Sequence, residues 1–155
     1  NKIGALIAIE KNTYLTEYIE SGIPINGTIT PELLINLFFP HSPTHDGAII
    51  IREDKIISTG SLLPLTDTKI RDHRLGTRHR AALGLSELSD ALIIAVSEET
   101  GVISIAENAT LTRYLTKEGL ETRLFNHYAE TIPQEKLNLK YFKDNFLKKE
   151  KNRKD

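Results

Sequence analysis

The sequence predicts an α/β fold: a single domain with a mixed central β-sheet flanked by α-helices. Three observations carry this reading. Apolar runs of strand length recur at residues 3–9, 48–52, 55–63, 91–96 and 102–106, most of them rich in branched side chains. Segments with helical spacing are interspersed among them rather than gathered at one end of the chain. Two strand pairs are joined by connections short enough to be hairpins, at Glu53-Asp54 and at residues 97–101, so antiparallel pairs must be present.

Residues 3–9 form a buried strand that ends in the polar Glu10-Lys11-Asn12 cluster, and residues 13–20 a short helix stopped by Gly22 and Pro24. Thr30-Pro31-Glu32 is a clear helix start. A hydroxyl stands at the cap, a proline sits where its missing N–H costs nothing, and an acid faces the positive end of the dipole. Leu33, Leu34, Leu37 and Phe38 then follow at core-facing spacing, and Pro40 ends the element. Residues 39–47 are too polar and too rich in proline and glycine for helix or buried strand, and read as a loop. The hairpin 48–52/55–63 is closed by Pro64. After a charged linker over 66–77, residues 80–88 form a helix with Ala81, Ala82 and Leu85 available for packing. Residues 91–96 show almost no polar alternation, which argues burial on both faces. Residues 110–128 are expected to be helical, and Pro133 separates them from a basic amphipathic end segment.

The 155 residues suit one core and leave no room for two ordinary domains. With no Cys, disulfides, thiolate metal sites and cysteine nucleophiles are excluded. The charge is balanced, 20 Lys and Arg against 21 Asp and Glu, so composition gives no ground for strong polyanion binding, and nucleic acid is not an expected partner. Residues 136–155 nevertheless hold eight basic side chains against three acidic ones. Their bland reading is a solvated helix or tail, their functional one an electrostatic tether. No run reaches the ~20 apolar residues that span a bilayer, and a chain that opens without Met on a strand is expected to be a domain of a longer protein.

Three polar clusters stand at the ends of apolar runs: His45-Asp46-Gly47-Ala48, Thr77-Arg78-His79-Arg80 and Ser97-Glu98-Glu99-Thr100-Gly101. Strand ends and helix N-termini are where α/β domains place ligands. Forked arginine donors beside the open N–H groups of a helix start suit phosphates. A carboxylate beside a histidine can hold a divalent cation and help activate a hydroxyl, and a following glycine lets a ligand approach the backbone. Singly, each has a plain alternative. Asp46-Gly47 has the composition of a turn and residues 97–101 that of a hairpin turn. The arginines could lie on a solvated first turn, although two of them there oppose the helix dipole and favour a bound anion.

In order, spacing and flanks, Asp46-Gly47-Ala48, then Gly76-Thr77-Arg78-His79-Arg80-Ala81-Ala82, then Ser97-Glu98-Glu99-Thr100-Gly101 resemble the diadenylate cyclase domain, with its Asp-Gly-Ala and Arg-His-Arg motifs. The resemblance runs from about Gly4 to about Leu124 and includes Gly22-Ile23-Pro24 and Leu33-Leu34. It implies an enzyme, a nucleotidyltransferase that condenses two ATP into the second messenger cyclic di-AMP with release of two pyrophosphates, using Mn²⁺ or Mg²⁺. On this resemblance the catalytic residues are Asp46, Gly47, Arg78, His79 and Arg80. Substrate is bound by Ala48, Leu62, Leu63, Gly76, Thr77, Arg78, His79, Arg80, Ser97 and Glu99, and metal by His45, Asp46 and Glu99. Leu63 would meet adenine through its backbone. Membrane-anchored members carry an aromatic residue at the place of Leu62, and here the sequence departs from them.

The resemblance further implies that two domains face each other, each with one ATP, since the 3′-hydroxyl of one must reach the α-phosphorus of the other. The expected division is a catalytic domain over 1–128 and a basic amphipathic tail over 129–155. The chain itself is expected to be soluble, and the full-length protein to be membrane-anchored with this domain on the cytoplasmic face, bound by a regulator. A rival from another class is a non-catalytic nucleotide-binding regulatory module. Asp46 and Glu99 beside the arginines argue against it, because binding alone has less need of carboxylates near phosphate.

Overall fold

The computed structural model describes residues 2–69 and 75–131. The elements are β1 (Ala5–Ile9), α1 (Thr16–Glu20), β2 (Ile23–Thr28), α2 (Pro31–Phe38), β3 (Ala48–Arg52), β4 (Lys55–Ser61), α3 (Thr77–Leu88), β5 (Leu92–Val96), β6 (Ile103–Glu107), β7 (Thr110–Thr112) and α4 (Lys117–Thr131). They fall into two compact units, one ending at Glu118 and one beginning at Gly119, so the sheet and the first three helices belong to the first. None of the described helices is long and apolar enough to cross a membrane.

The sheet is mixed and seven-stranded, in the order β2-β4-β3-β1-β5-β6-β7. β1 and β3 run parallel, with Ile7 beside Ile49 and Ile9 beside Ile51. The neighbouring pairs on either side are antiparallel, β5 against β1 with Ala8 facing Ile93, and β4 against β3. Because side chains alternate along a strand, the central strands divide their apolar residues between two faces. Leu6, Ala8, Ala48, Ile50, Ile93 and Ala95 share one core with Leu15, Ala81, Ala82 and Leu85, and Tyr18 and Ile19 of α1 pack against it. Ile9, Ile49, Ile51, Leu92 and Ile105 are buried as well, which accounts for runs that lack polar alternation. Full burial of Leu85 alone contributes roughly 2–3 kcal/mol.

α3 lies close to the segment that follows β4. A Cβ at Gly84 would collide with the Pro64 carbonyl, so glycine is what permits the approach. The Thr66 N–H donates to the Arg80 carbonyl at 3.1 Å, and the Thr66 hydroxyl donates to Glu87 Oε1 at 2.5 Å. Residues 62–66 are thereby fixed to the helix.

The sheet end marked by Ile9, Arg52 and Leu92 is closed by carboxylates. Arg52 donates from Nε and Nη2 to Glu10 at 2.7 and 3.0 Å, the Leu15 N–H donates to Glu10 Oε2 at 2.8 Å, and the guanidinium lies over the Tyr14 ring. Multiple partners are what make a buried carboxylate tolerable. Asp90 accepts the N–H groups of Asn12 and Thr13 at 3.1 and 3.0 Å.

Five expectations are corrected. The first helix starts at Thr16 rather than at residue 13, because the N–H groups of Asn12 and Thr13 are held by Asp90 and that of Leu15 by Glu10. β2 was not expected. Pro24 signals a break, yet β2 pairs only with β4 at the sheet edge, where a proline needs no ladder partner, and a register irregularity takes up Asn26 at φ 51°. β4 ends at Ser61 rather than 63. α3 begins at Thr77 rather than 80, taking the arginine cluster into its first turn. Residues 110–128 are not one helix: Asn108 and Ala109, at φ 50° and 60°, turn the chain back into β7, and α4 starts only at Lys117. The Thr30 cap is as read, its hydroxyl accepting the Leu33 N–H at 3.1 Å. The basic end segment lies outside the described residues.

Candidate active site

At the sheet end opposite the Glu10–Arg52 pair, an open cleft of about 680 Å³ is formed by the start of β1, the loop before β3, the residues after β4, the first turn of α3 and the turn after β5. This volume suits one nucleotide-sized ligand. Each wall has an identifiable local cause.

The loop before β3 hangs from the end of α2. Thr44 Oγ1 and Ser42 Oγ both donate to the Leu37 carbonyl, at 3.0 and 3.5 Å, and the Thr59 hydroxyl donates to the Thr44 carbonyl at 3.1 Å. His45 Nδ1 lies 2.6 Å from the Ser42 carbonyl, so that nitrogen carries a proton and Nε2 of a neutral ring keeps its lone pair. The loop then crosses β4 at glycine. Gly47 has φ +98°, and a Cβ on it would stand 2.7 Å from the Gly60 carbonyl carbon and 2.9 Å from the Ser61 oxygen. Asp46 is set at the cleft by this backbone crossing.

Leu62 and Leu63 form the next wall. The Leu62 N–H donates to Ser21 Oγ at 2.9 Å, while its side chain is 70% exposed and free to cover a planar ligand without an aromatic ring. The third wall is the start of α3. Gly76 caps the helix with no side-chain hydrogen bond and no acid lies in the first turn, so among the described residues the leading N–H groups of this helix have no carboxylate or hydroxyl cap. Arg78 Nη1 lies 3.3 Å from Glu98 Oε2. His79 is buried and its Nε2 has no hydrogen-bond partner among the described residues. Burial, reinforced by the positive charges of Arg113 and Arg78, holds its imidazole below the usual range, so the ring is neutral near pH 7.

The last wall is the turn after β5. Ser97 Oγ accepts the Thr100 N–H at 3.3 Å, the Gly101 N–H returns to the Ser97 carbonyl at 2.9 Å with Gly101 at φ +74°, and Ser97, Glu98 and Glu99 all line the cleft.

Of the residues singled out from the sequence, His45, Asp46, Gly47, Leu62, Leu63, Gly76, Thr77, Arg78, His79, Ser97 and Glu99 meet around this one cleft. Ala48 and Arg80 do not line it. Ala48 is fully buried beneath, and Arg80, two residues beyond Arg78, points to another side of the helix and is exposed. Sequence reasoning missed Glu98, Ser61, Leu6, Val96, Leu65 and Ala81 as lining residues. Only Glu98 carried a signal, standing between two chosen neighbours in a turn.

The family described as DisA bacterial checkpoint controller nucleotide-binding, DAC, matches residues 1–111. The chain belongs to this family. It is 50% identical over 123 residues to the cyclic di-AMP synthase CdaA of Bacillus subtilis (strain 168), covering 79% of this chain and 45% of that protein. A crystal structure of DacA from Staphylococcus aureus, in a double mutant, superposes with TM-score 0.80 at 50% identity, over 81% of this chain and 84% of that one. A structure described as a hypothetical membrane spanning protein from Bacillus cereus gives TM-score 0.69 at 48% identity, over 73% of this chain and 55% of that one. The α/β fold with a mixed sheet is thus shared with DacA. The chain spans about half the length of the curated relatives it matches.

Proposed function

We propose that this chain is a diadenylate cyclase domain, joining two ATP into cyclic di-AMP with loss of two pyrophosphates. The observation that carries this reading is the convergence of the Asp46-Gly47 loop, the arginine-bearing start of α3 and the Ser97–Glu99 turn on a single cleft in a chain of the DAC family. The similarity to a cyclic di-AMP synthase supports it.

Phosphate oxygens meet the open N–H groups of Gly76, Thr77 and Arg78, the Thr77 hydroxyl, the Arg78 fork and the His79 ring, while the backbone of Leu63 and the side chain of Leu62 hold adenine. To Asp46, which lines the cleft, we assign the ribose 3′-hydroxyl: its carboxylate takes the proton as the oxygen bonds to the α-phosphorus of the ATP in a facing domain. The P–O bond to pyrophosphate breaks as the new one forms. Positioning and charge stabilisation supply most of such a rate enhancement. A second, reciprocal step closes the ring, so a face-to-face dimer is the working unit.

The donor set fits a divalent cation that arrives with substrate. Asp46, Glu98 and Glu99 line a cleft that must take a polyanion, with Arg78 also in its wall. Among the described residues no three His, Asp or Glu side chains form a ready-made metal cluster. Hard cations of this kind are commonly held by one or two carboxylates together with substrate phosphates. We assign those contacts to Asp46, Glu99 and His45, with Mn²⁺ or Mg²⁺ as the ion. When bound, the ion supplies charge neutralisation and lowers the pKa of the attacking hydroxyl.

We read residues 1–128 as the catalytic domain, with the basic residues 129–155 an addition to it, and the whole protein as membrane-anchored, its cyclase on the cytoplasmic face under a regulator. The likeness to a protein described as membrane spanning supports that placement. The experiment is to incubate the purified chain with ATP and Mn²⁺ or Mg²⁺ across a dilution series and detect product by mass. Cyclic di-AMP with specific activity that rises with protein concentration is expected. ATP left unchanged under all conditions by a folded chain refutes the reading.

A further inference from the structure

Gly4 precedes β1 and is buried, and no motif draws attention to it. Its missing side chain is occupied by another residue. A Cβ on Gly4 would stand 2.7 Å from Arg78 Nη1, 2.8 Å from Arg78 Cζ and 3.0 Å from Glu98 Cβ. The near-equal distances to Nη1 and Cζ put the guanidinium against the Gly4 backbone, and Glu98 Oε2 lies 3.3 Å from the same Nη1. The arginine is therefore confined to a slot with a bare Cα on one side and a carboxylate on another. A long side chain loses considerable rotamer freedom when ordered, and a slot of this kind makes that cost part of folding rather than of ligand binding.

We propose that Gly4 is a positioning residue for Arg78, providing the space in which the guanidinium is held ready for phosphate oxygens. This rests on the phosphate-binding role proposed above for Arg78. Gly4 does not have a positive φ, so alanine suits its backbone; only the tip of Arg78 and, by a few tenths of an ångström, Glu98 have to give way. A methyl group at position 4 displaces the fork while leaving the first turn of α3 intact.

The test is a double-mutant cycle on Gly4→Ala and Arg78→Ala, read by calorimetry with α,β-methylene ATP and Mg²⁺, an analogue that cannot release pyrophosphate, together with thermal unfolding of each protein. Gly4→Ala is expected to weaken analogue binding about ten-fold, the scale of one charge-assisted hydrogen bond. In the Arg78→Ala background the same change is expected to have no effect on affinity. Equal weakening by Gly4→Ala in both backgrounds, or none in the parent, overturns the proposal. If Arg78→Ala alone binds the analogue as tightly as the parent, the phosphate assignment itself fails and the proposal falls with it. Should Gly4→Ala not fold, the double variant decides: unfolding at the temperature of Arg78→Ala supports the slot, and failure to fold overturns it.

Discussion

Replacing Gly47 by alanine tests whether Asp46 is set in place by a backbone crossing. At φ +98° an L-residue is strained, at roughly 1–3 kcal/mol. The added Cβ would also sit 2.7 and 2.9 Å from the carbonyl carbon and Cα of Gly60 and 2.9 Å from the Ser61 oxygen, all of them backbone atoms that cannot swing aside. Overpacking of this kind costs typically 1–3 kcal/mol more. The sum, about 2–6 kcal/mol, corresponds to a fall in melting temperature of roughly 6–20 °C for a domain of this size. Whatever relaxation relieves the clash moves the loop bearing Asp46 away from β4, so cyclic di-AMP synthesis should fall even well below the melting temperature. Gly76→Ala is the control for stability alone, since among the described residues its Cβ meets nothing within 4 Å and the helix cap should lose no more than about 1 kcal/mol. Differential scanning calorimetry of both variants, with product formation by Gly47→Ala measured at 20 °C below its midpoint, is the assay. A Gly47→Ala protein melting within 2 °C of the parent would refute the reasoning.

Asp46→Asn keeps the shape of the loop and removes the proposed proton acceptor, so synthesis should drop by ~10²–10⁴ while ATP binding by the α3 start persists; calorimetry paired with mass detection checks it, and near-parental product formation would sink the catalytic role. Arg78→Lys keeps the charge but loses the fork that meets Glu98 and that we propose meets phosphate, so KM for ATP should rise while the melting temperature barely moves. Two groups, His79 and Asp90, make stability fall toward acid pH. His79 titrates below its ordinary 6.5 in the folded chain, so the unfolded chain binds the extra proton first, and stability should decline as pH falls from 6.5 through the folded value, a slope that His79→Gln removes. Burial pushes Asp90 up, but the Thr13 and Asn12 hydrogen bonds outweigh it and hold the carboxyl below its ordinary 3.8; the stability it contributes should vanish as pH falls from 3.8 through the folded value, and Asp90→Asn should lack that acid limb in urea titrations.

Much of this was legible in the sequence wherever one local cause was enough. Thr30-Pro31-Glu32 marks its helix because cap, proline and acid act within one turn, and the central strands announce themselves because burial on both faces removes polar residues. What escaped depends on partners distant in the chain. Pro24 breaks a central strand but not an edge one, and nothing local says which β2 is. Ala109 is no turn former, yet its φ of 60° reverses the chain into β7. In the site, the motifs brought Arg78 and Arg80 forward together, but their two-residue spacing on a helix sends them to different sides. Gly4 is invisible without coordinates, since its meaning lies entirely in Arg78, 74 positions away.

β1 and β3, being parallel, both begin at the cleft, while β4 and β5 both finish there. The walls are therefore supplied by the start of β1 and by four separate segments between His45 and Glu99, each carried by a different strand or helix end. Such a site cannot fray into a weaker version of itself. It exists when the four central strands are in register and is lost when they part. A nucleotide bridging Asp46, the start of α3 and Ser97 accordingly ties together the strands that flank β1, and its binding energy is added to the cooperative unfolding of the sheet rather than to a local loop.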